Sequence, residues 1–288
     1  MLIDPILRKK LLALLEEDLH FADVSSDVIP KDLVTTAEII CKQGGVLAGG
    51  REAQILFSIV GVQADMQVSD GAPIAKGDVI MTLEGLASNI LSAERTALNI
   101  LHRMCAIATT TRKAVLAARE INPPIRVAAT RKTTPGMRVF EKQAVILGGG
   151  DPHRWSLDDM IMLKDTHKAL FGGDVAQMVQ YAKEHASFTK KIEVEVENLA
   201  EAVAAAQAGA DIIMFDNMAP GDVSSALQEL DTLGLREHVI YEASGGITVD
   251  TLAEYAGTGV DVVSMGSLTM YPSERVDLSL EIKIPNIL

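Results

Sequence analysis

The stretch KIEVEVENLAEAVAAAQAGADIIMFD, residues 191–216, decides the fold. Its first residues alternate Ile192, Val194 and Val196 with Glu193, Glu195 and Glu197, the two-residue period of a strand with all three carboxylates on one face. Leu199 to Ala208 reads as a helix, and Asp211 to Phe215 as a second, apolar strand. The same rhythm extends outward. Arg126–Thr130, Met160–Lys164, Val239–Ser244 and Val260–Gly266 are strand-like, with helical stretches such as Asp174–Ala186 between them. Repeating βα units predict a parallel sheet covered by helices. No GxGxxG follows the first strand, whereas polar residues recur just beyond successive strands: Arg131-Lys132, Asp165, Asp216, Gly245-Gly246 and Ser267. That pattern favours a (β/α) barrel, whose sites form at the carboxyl ends of its strands.

Upstream the pattern differs. Asp4 to Asp18 reads as an amphipathic helix with Leu7, Leu11, Leu14 and Leu15 on one stripe, and the short strand-like runs Thr35–Cys41, Val62–Val68 and Asp78–Leu83 are separated by glycine turns. Leu86 to Glu120 is helical until Asn122-Pro123-Pro124 stops it. The expected fold class is α/β: an N-terminal α+β domain followed by a parallel (β/α) barrel.

Composition narrows the function. The 288 residues are 48% apolar and 23% charged, close to globular averages. No uncharged run exceeds a dozen residues, so no membrane partner is expected, and the N-terminus lacks the basic start and apolar core of a secretory signal, so the expected location is cytoplasmic. Cys41 and Cys105 have no metal-ligand or disulfide spacing. The net charge of −13 disfavours a nucleic-acid partner. Residues 126–168 nevertheless hold eight Lys or Arg against five acids, a cationic island of the kind a small anionic substrate requires.

Within that island, Thr130-Arg131-Lys132-Thr133-Thr134-Pro135-Gly136 combines a planar guanidinium fork, a point charge and hydroxyls where a strand ends, which suits an anion. Gly148-Gly149-Gly150 allows the following loop to fold back, bringing His153 and Arg154 to a second carboxylate, with His153 also able to exchange a proton. Lys164 closes an apolar run at the expected barrel mouth. Carboxylates pointing into a barrel must be paired, hydrated or metal-bound; Glu195 with Asp216 suits Mg²⁺, and an internal ion pair to Lys164 is the other reading. Ser244-Gly245-Gly246 and Met265-Gly266-Ser267 are glycine turns of the kind that bind phosphate through backbone amides.

Glu94-Arg95-Thr96-Ala97-Leu98-Asn99, Thr130–Gly136, Gly148–Gly150 with His153-Arg154, Lys164-Asp165 with His167, the run Glu193–Asn198, and Asp216-Asn217 occur in the order seen in quinolinate phosphoribosyltransferases, which the chain resembles over nearly its whole length. The resemblance implies an N-terminal α/β open sandwich (1–108), an incomplete barrel (109–269) and a tail (270–288) that packs back on the first domain. It implies transfer of ribose 5-phosphate from phosphoribosyl pyrophosphate to quinolinate with decarboxylation, and a homodimer in which Arg95 enters the neighbouring subunit's site. By the same resemblance Arg131, Lys132, His153, Arg154 and Lys164 hold quinolinate, while Glu195 and Asp216 sit near Mg²⁺ and the ribose. Ser244, Gly245, Gly246 and Gly266 form the 5′-phosphate cradle, and Thr130, Met265 and Ser267 are further expected substrate-binding residues. Catalysis falls to Lys132, Glu195 and Asp216, with Lys132 or His153 returning a proton after decarboxylation. The chain departs from the family at Ala22–Ser26 and Thr166. Other readings are a molybdenum-transport-associated relative, a lyase using Lys164 as a Schiff base, and a non-catalytic metabolite-binding protein.

Overall fold

The computed structural model describes residues 3–283. The described chain divides into two compact units: one comprises residues 3–110, Gln143–Gly148 and residues 272–283, and the other Thr111–Lys142 with Gly149–Tyr271. The second segment of the first unit interrupts the barrel sequence, which the linear division at 108 and 269 did not foresee. Residues 284–288 of the expected returning tail lie outside the described residues.

The first unit contains α1 (Asp4–Asp18), β1 (Val34–Gln43), β2 (Gly45–Val46), α2 (Gly50–Ile59), β3 (Gln63–Met66), β4 (Pro73–Ile74), β5 (Val79–Leu86) and the first part of α3 (Ala87–Ile121). Helix α1 buries Leu7, Leu11 and Leu15, three members of the expected stripe. Strand β1 alternates as a half-buried strand must, with Thr35, Ala37, Ile39 and Cys41 inward. Its partners are β5 and the C-terminal strand β12 (Asp277–Lys283), in an antiparallel sheet of order β12-β1-β5-β3. The described part of the tail thus returns to this unit, with Ile39 opposite Leu280.

The second unit carries β6 (Arg126–Ala128), α4 (Arg138–Gly148, its last turns in the first unit), β7 (Ile161–Leu163), α5 (Asp165–Leu170), α6 (Val175–His185) and β8 (Ile192–Val196). It continues with α7 (Leu199–Ala208), β9 (Ile212–Asp216), α8 (Pro220–Thr232), β10 (Ile240–Ser244), α9 (Leu252–Ala256), β11 (Val262–Ser264) and α10 (Ser267–Met270). The six strands pair in parallel in the order β6-β11-β10-β9-β8-β7, with a one-residue bridge from Ala128 to Asp151 beyond β6. Asn198 starts α7 by accepting from the Glu201 amide at 3.0 Å, and Gly209 ends it in the left-handed region.

Strand period places the chemistry. Ile192, Val194 and Val196, Ile213 and Phe215, Tyr241 and Ala243 join the apolar core beside helix residues such as Met178, Ala202 and Val223. The intervening Glu193, Glu195, Met214 and Glu242 therefore face the other way, into the barrel. Observed strands β6, β7 and β11 are shorter than the sequence predicts at their carboxyl ends. Thr130, Lys164 and Gly266 have left the ladder for the loops that build the site, while the Met265 amide still donates to the Ala128 carbonyl at 2.8 Å.

Candidate active site

The site grows from the loops that follow β6, β7, β8, β9, β10 and β11. After β6, Thr130 Oγ1 accepts from the Lys132 amide at 3.1 Å, and the Lys132 carbonyl accepts from Thr269 Oγ1 at 2.7 Å. This ties the Arg131-Lys132 turn to the segment after β11. A side chain at Gly266 would meet Lys132 Cδ at 3.0 Å and Thr130 Oγ1 at 3.4 Å, so a glycine there lets the lysine lie against the backbone. Ser267 Oγ donates to the Ile247 carbonyl at 3.0 Å, which joins the loops after β10 and β11. Met265, expected from sequence to bind substrate, is fully buried in the apolar core and can offer only its backbone.

Arg154 is buried at 7% exposure, and its Nη1 donates to the Met160 carbonyl at 2.8 Å. Its Nε and the Nε of half-buried Arg131 are shielded from water and have no hydrogen-bond partner among the described residues. Burial, and then the charge of Arg131, hold the Arg154 guanidinium below its ordinary pKa. Two guanidinium groups thus converge with donors aimed at no protein acceptor, the arrangement a bound carboxylate would complete.

Glu195 is half-buried and ion-pairs with Lys164 Nζ. Burial raises the Glu195 carboxyl above its usual range; Lys164 opposes this, while Asp216 and Glu193 add to it. Asp216 ends β9 and accepts from Asn217 Nδ2 at 2.8 Å. Asn217 has φ of 54°, the one positive φ outside glycine among the described residues, and its amide donates to the Ser244 carbonyl at 2.9 Å. Gly245, at φ of 101°, passes so close that an added Cβ would lie 2.3 Å from Asn217 Oδ1. Asn217 therefore locks the β9 and β10 loops together.

The three alternating glutamates separate by depth. Glu193 is fully buried, Glu195 sits at the mouth, and Glu197 lies past the strand end, exposed, bound to Lys168 at 3.0 Å. The His153 ring reaches the buried glutamates, with Nε2 3.0 Å from Glu193 and 3.7 Å from Glu242. Burial works against charge on this imidazole, but the two glutamates outweigh it and raise its pKa. Burial, reinforced by Glu193, pushes Glu242 up to about 8.

Sequence reasoning missed Lys142 and Arg138. Lys142 is fully buried and donates to the carbonyls of Pro152 and His153; burial, aided by Arg138, lowers it to about 7. Arg138 donates to Thr133 Oγ1 at 3.1 Å and to the Trp155 carbonyl at 3.4 Å, which clamps the two anion-binding loops to one another. A lysine at the head of the otherwise uncharged run 142–150 was the available signal. Of the three glycines ahead of this loop, Gly149 alone has positive φ, at 95°. Arg95 stands exposed on α3 in the first unit and is not among the groups that these loops gather.

Comparison with known proteins places this arrangement. Residues 23–105 match the N-terminal domain and residues 107–281 the C-terminal domain of quinolinate phosphoribosyl transferase. The chain belongs to the quinolinate phosphoribosyltransferase family. It is 46% identical over 271 residues to a probable carboxylating nicotinate-nucleotide pyrophosphorylase of Methanothermobacter thermautotrophicus, covering 94% of this chain and 96% of that one. It is 39% identical to the carboxylating nicotinate-nucleotide pyrophosphorylase of Homo sapiens, over 85% and 82% of the two chains. The crystal structure of NadC from Streptococcus pyogenes superposes with a TM-score of 0.90 at 36% identity, covering 98% of each chain. These matches do not favour the molybdenum-associated alternative. No helix among the described residues is long and apolar enough to cross a membrane.

Proposed function

We infer that this quinolinate phosphoribosyltransferase joins the pyridine nitrogen of quinolinate to the anomeric carbon of phosphoribosyl pyrophosphate, releases pyrophosphate, and then expels the 2-carboxylate as CO₂ to give nicotinate mononucleotide for NAD synthesis. The observation that carries this reading is the pairing of half-buried Arg131 with buried Arg154, whose shielded Nε donors lack protein acceptors among the described residues. A doubly anionic pyridine supplies the missing acceptors. Lys164 spends its amine on Glu195, which argues against the Schiff-base lyase.

Arg131 and Arg154 clamp the carboxylates and so fix the ring nitrogen against the sugar; orientation of this kind removes several kcal/mol of barrier, on the order of 7 or more in well-aligned cases. As the bond to pyrophosphate breaks, its electron pair leaves with the phosphate oxygen and positive charge develops on the ribose, where Glu195 and Asp216 supply negative charge. The donor set fits Mg²⁺: two hard carboxylates at the mouth, each near enough for Asp216 to act on Glu195. Glu195 and Asp216 would hold the ion, which when bound neutralises the departing pyrophosphate. The glycine turns at Gly245-Gly246 and Gly266-Ser267, with Ser244, receive the 5′-phosphate. In the second step the carbon–carbon bond breaks toward the cationic pyridinium ring, and Lys132 returns a proton to that carbon.

The subunit arrangement assigned here is a homodimer in which exposed Arg95 serves the neighbouring site. A cytoplasmic location accords with the free thiols of buried Cys41 and Cys105. The direct test incubates the protein with Mg²⁺, phosphoribosyl pyrophosphate and quinolinate labelled at the 2-carboxylate. Nicotinate mononucleotide and labelled CO₂ in equal amounts are expected; turnover of neither substrate overturns the reading.

A further inference from the structure

Interiors of (β/α) barrels are ordinarily filled by layers of branched apolar side chains. Here a partly open cavity of about 940 Å³ enters at the amino-terminal ends of the strands, walled by inward residues near the strand starts such as Arg126, Ile212, Ile240 and Val262, with Asp261 beside them. His153 and Glu242 lie in its wall. Glu193, at 0% exposure, and Glu242, at 1%, are deeply buried carboxylates, and three of their four oxygens have no hydrogen-bond partner among the described residues. His153 Nε2 is likewise without an aligned hydrogen bond, although it stands 3.0 Å from one carboxylate and 3.7 Å from the other. One donor atom from each of the three residues lies within 4.8 Å of the other two.

We propose that His153, Glu193 and Glu242 bind one first-row divalent cation of the manganese, iron or zinc kind inside the barrel. A divalent ion with a neutral imidazole takes the place of the protons that this buried triad otherwise needs and gives the orphaned oxygens a partner. A mixed nitrogen and oxygen set favours these metals over Mg²⁺, which prefers oxygen and its own waters. The cavity supplies an entry path at the strand starts, away from the loops that carry Arg131 and Lys132. Three elements are thereby tied together: β8, β10 and the loop that carries Arg154. The site shares no ligand with the Glu195 and Asp216 pair.

The test uses the metal alone. Chelator-treated protein is titrated with Mn²⁺ without phosphoribosyl pyrophosphate, by calorimetry and by pulsed electron paramagnetic resonance. One Mn²⁺ per chain with coupling to an imidazole nitrogen is expected, weakened at least about tenfold in Glu242→Gln and retained in Asp216→Asn. Mn²⁺ should also raise the melting midpoint of the native protein and not that of Glu242→Gln. Failure to bind Mn²⁺ or Zn²⁺, an ion without imidazole coupling, or binding lost in Asp216→Asn and kept in Glu242→Gln overturns the proposal. The nitrogen coupling is read on the native protein, so misfolding of the variant leaves the test intact.

Discussion

Arg131 and Arg154 differ in what surrounds them, and so in what their loss should do. Arg154 is buried and spends Nη1 on the Met160 carbonyl, so its removal disturbs the loop as well as the ligand. Arg131 is the cleaner probe. Arg131→Ala should weaken quinolinate binding about ten- to hundredfold, the equivalent of one charge-assisted contact of about 1.5–3 kcal/mol, with phosphoribosyl pyrophosphate binding nearly unchanged. Calorimetry on each ligand decides, and equal loss of both would reject the role. Lys142 gives a pH signature. Its folded pKa is lowered to about 7 from an ordinary 10.5, so between these values the unfolded chain holds a proton that the native one lacks. Stability should therefore rise with pH across that window, the burden being full below pH 7 and gone above 10.5. Urea denaturation at pH 7 and pH 9 should show this rise in the native protein and a flatter profile in Lys142→Met.

Among the elements, the loop between β10 and α9 depends on two glycines in different ways. Gly245→Ala drives a Cβ into Asn217 at φ of 101° and should destabilise by more than about 2 kcal/mol. Gly246, at φ of 62° with open space around it, should lose only about 1 kcal/mol as alanine. Comparison of denaturation midpoints separates strain from collision. The helices show why some elements are legible in sequence and others are not. Helix α7 carries its own cap, Asn198, beside its first residue, and its boundaries follow from the sequence. Helix α2 starts on Gly49-Gly50 with no local side-chain cap. Asp70, twenty residues on, accepts from the Gly50 and Arg51 amides at 2.9 and 3.1 Å, so the start signal is nonlocal and the sequence reading passes over the helix.

At the scale of the whole molecule, the proposed sharing of Arg95 makes a prediction about mixtures. Arg95→Ala and Lys164→Ala should each be inactive alone. Randomly exchanged together, they should recover about a quarter of native activity, because half the dimers are mixed and each of these has one intact site. Activity that stays at the level of the separate variants would remove Arg95 from the neighbouring site. The sequence by itself determined the βα alternation, the cationic island and the residue types at the strand ends, because strand and helix periods and loop chemistry are written in neighbouring residues. It placed Glu193, Glu195 and Glu197 on one face and could go no further. Which of them is interior, that His153 turns to meet Glu193 and Glu242, and that Lys142 holds the loop behind it were decided by tertiary structure alone. Those outcomes depend on how far each strand slides past its neighbour and on what remains to solvate a charge once the barrel has formed around it.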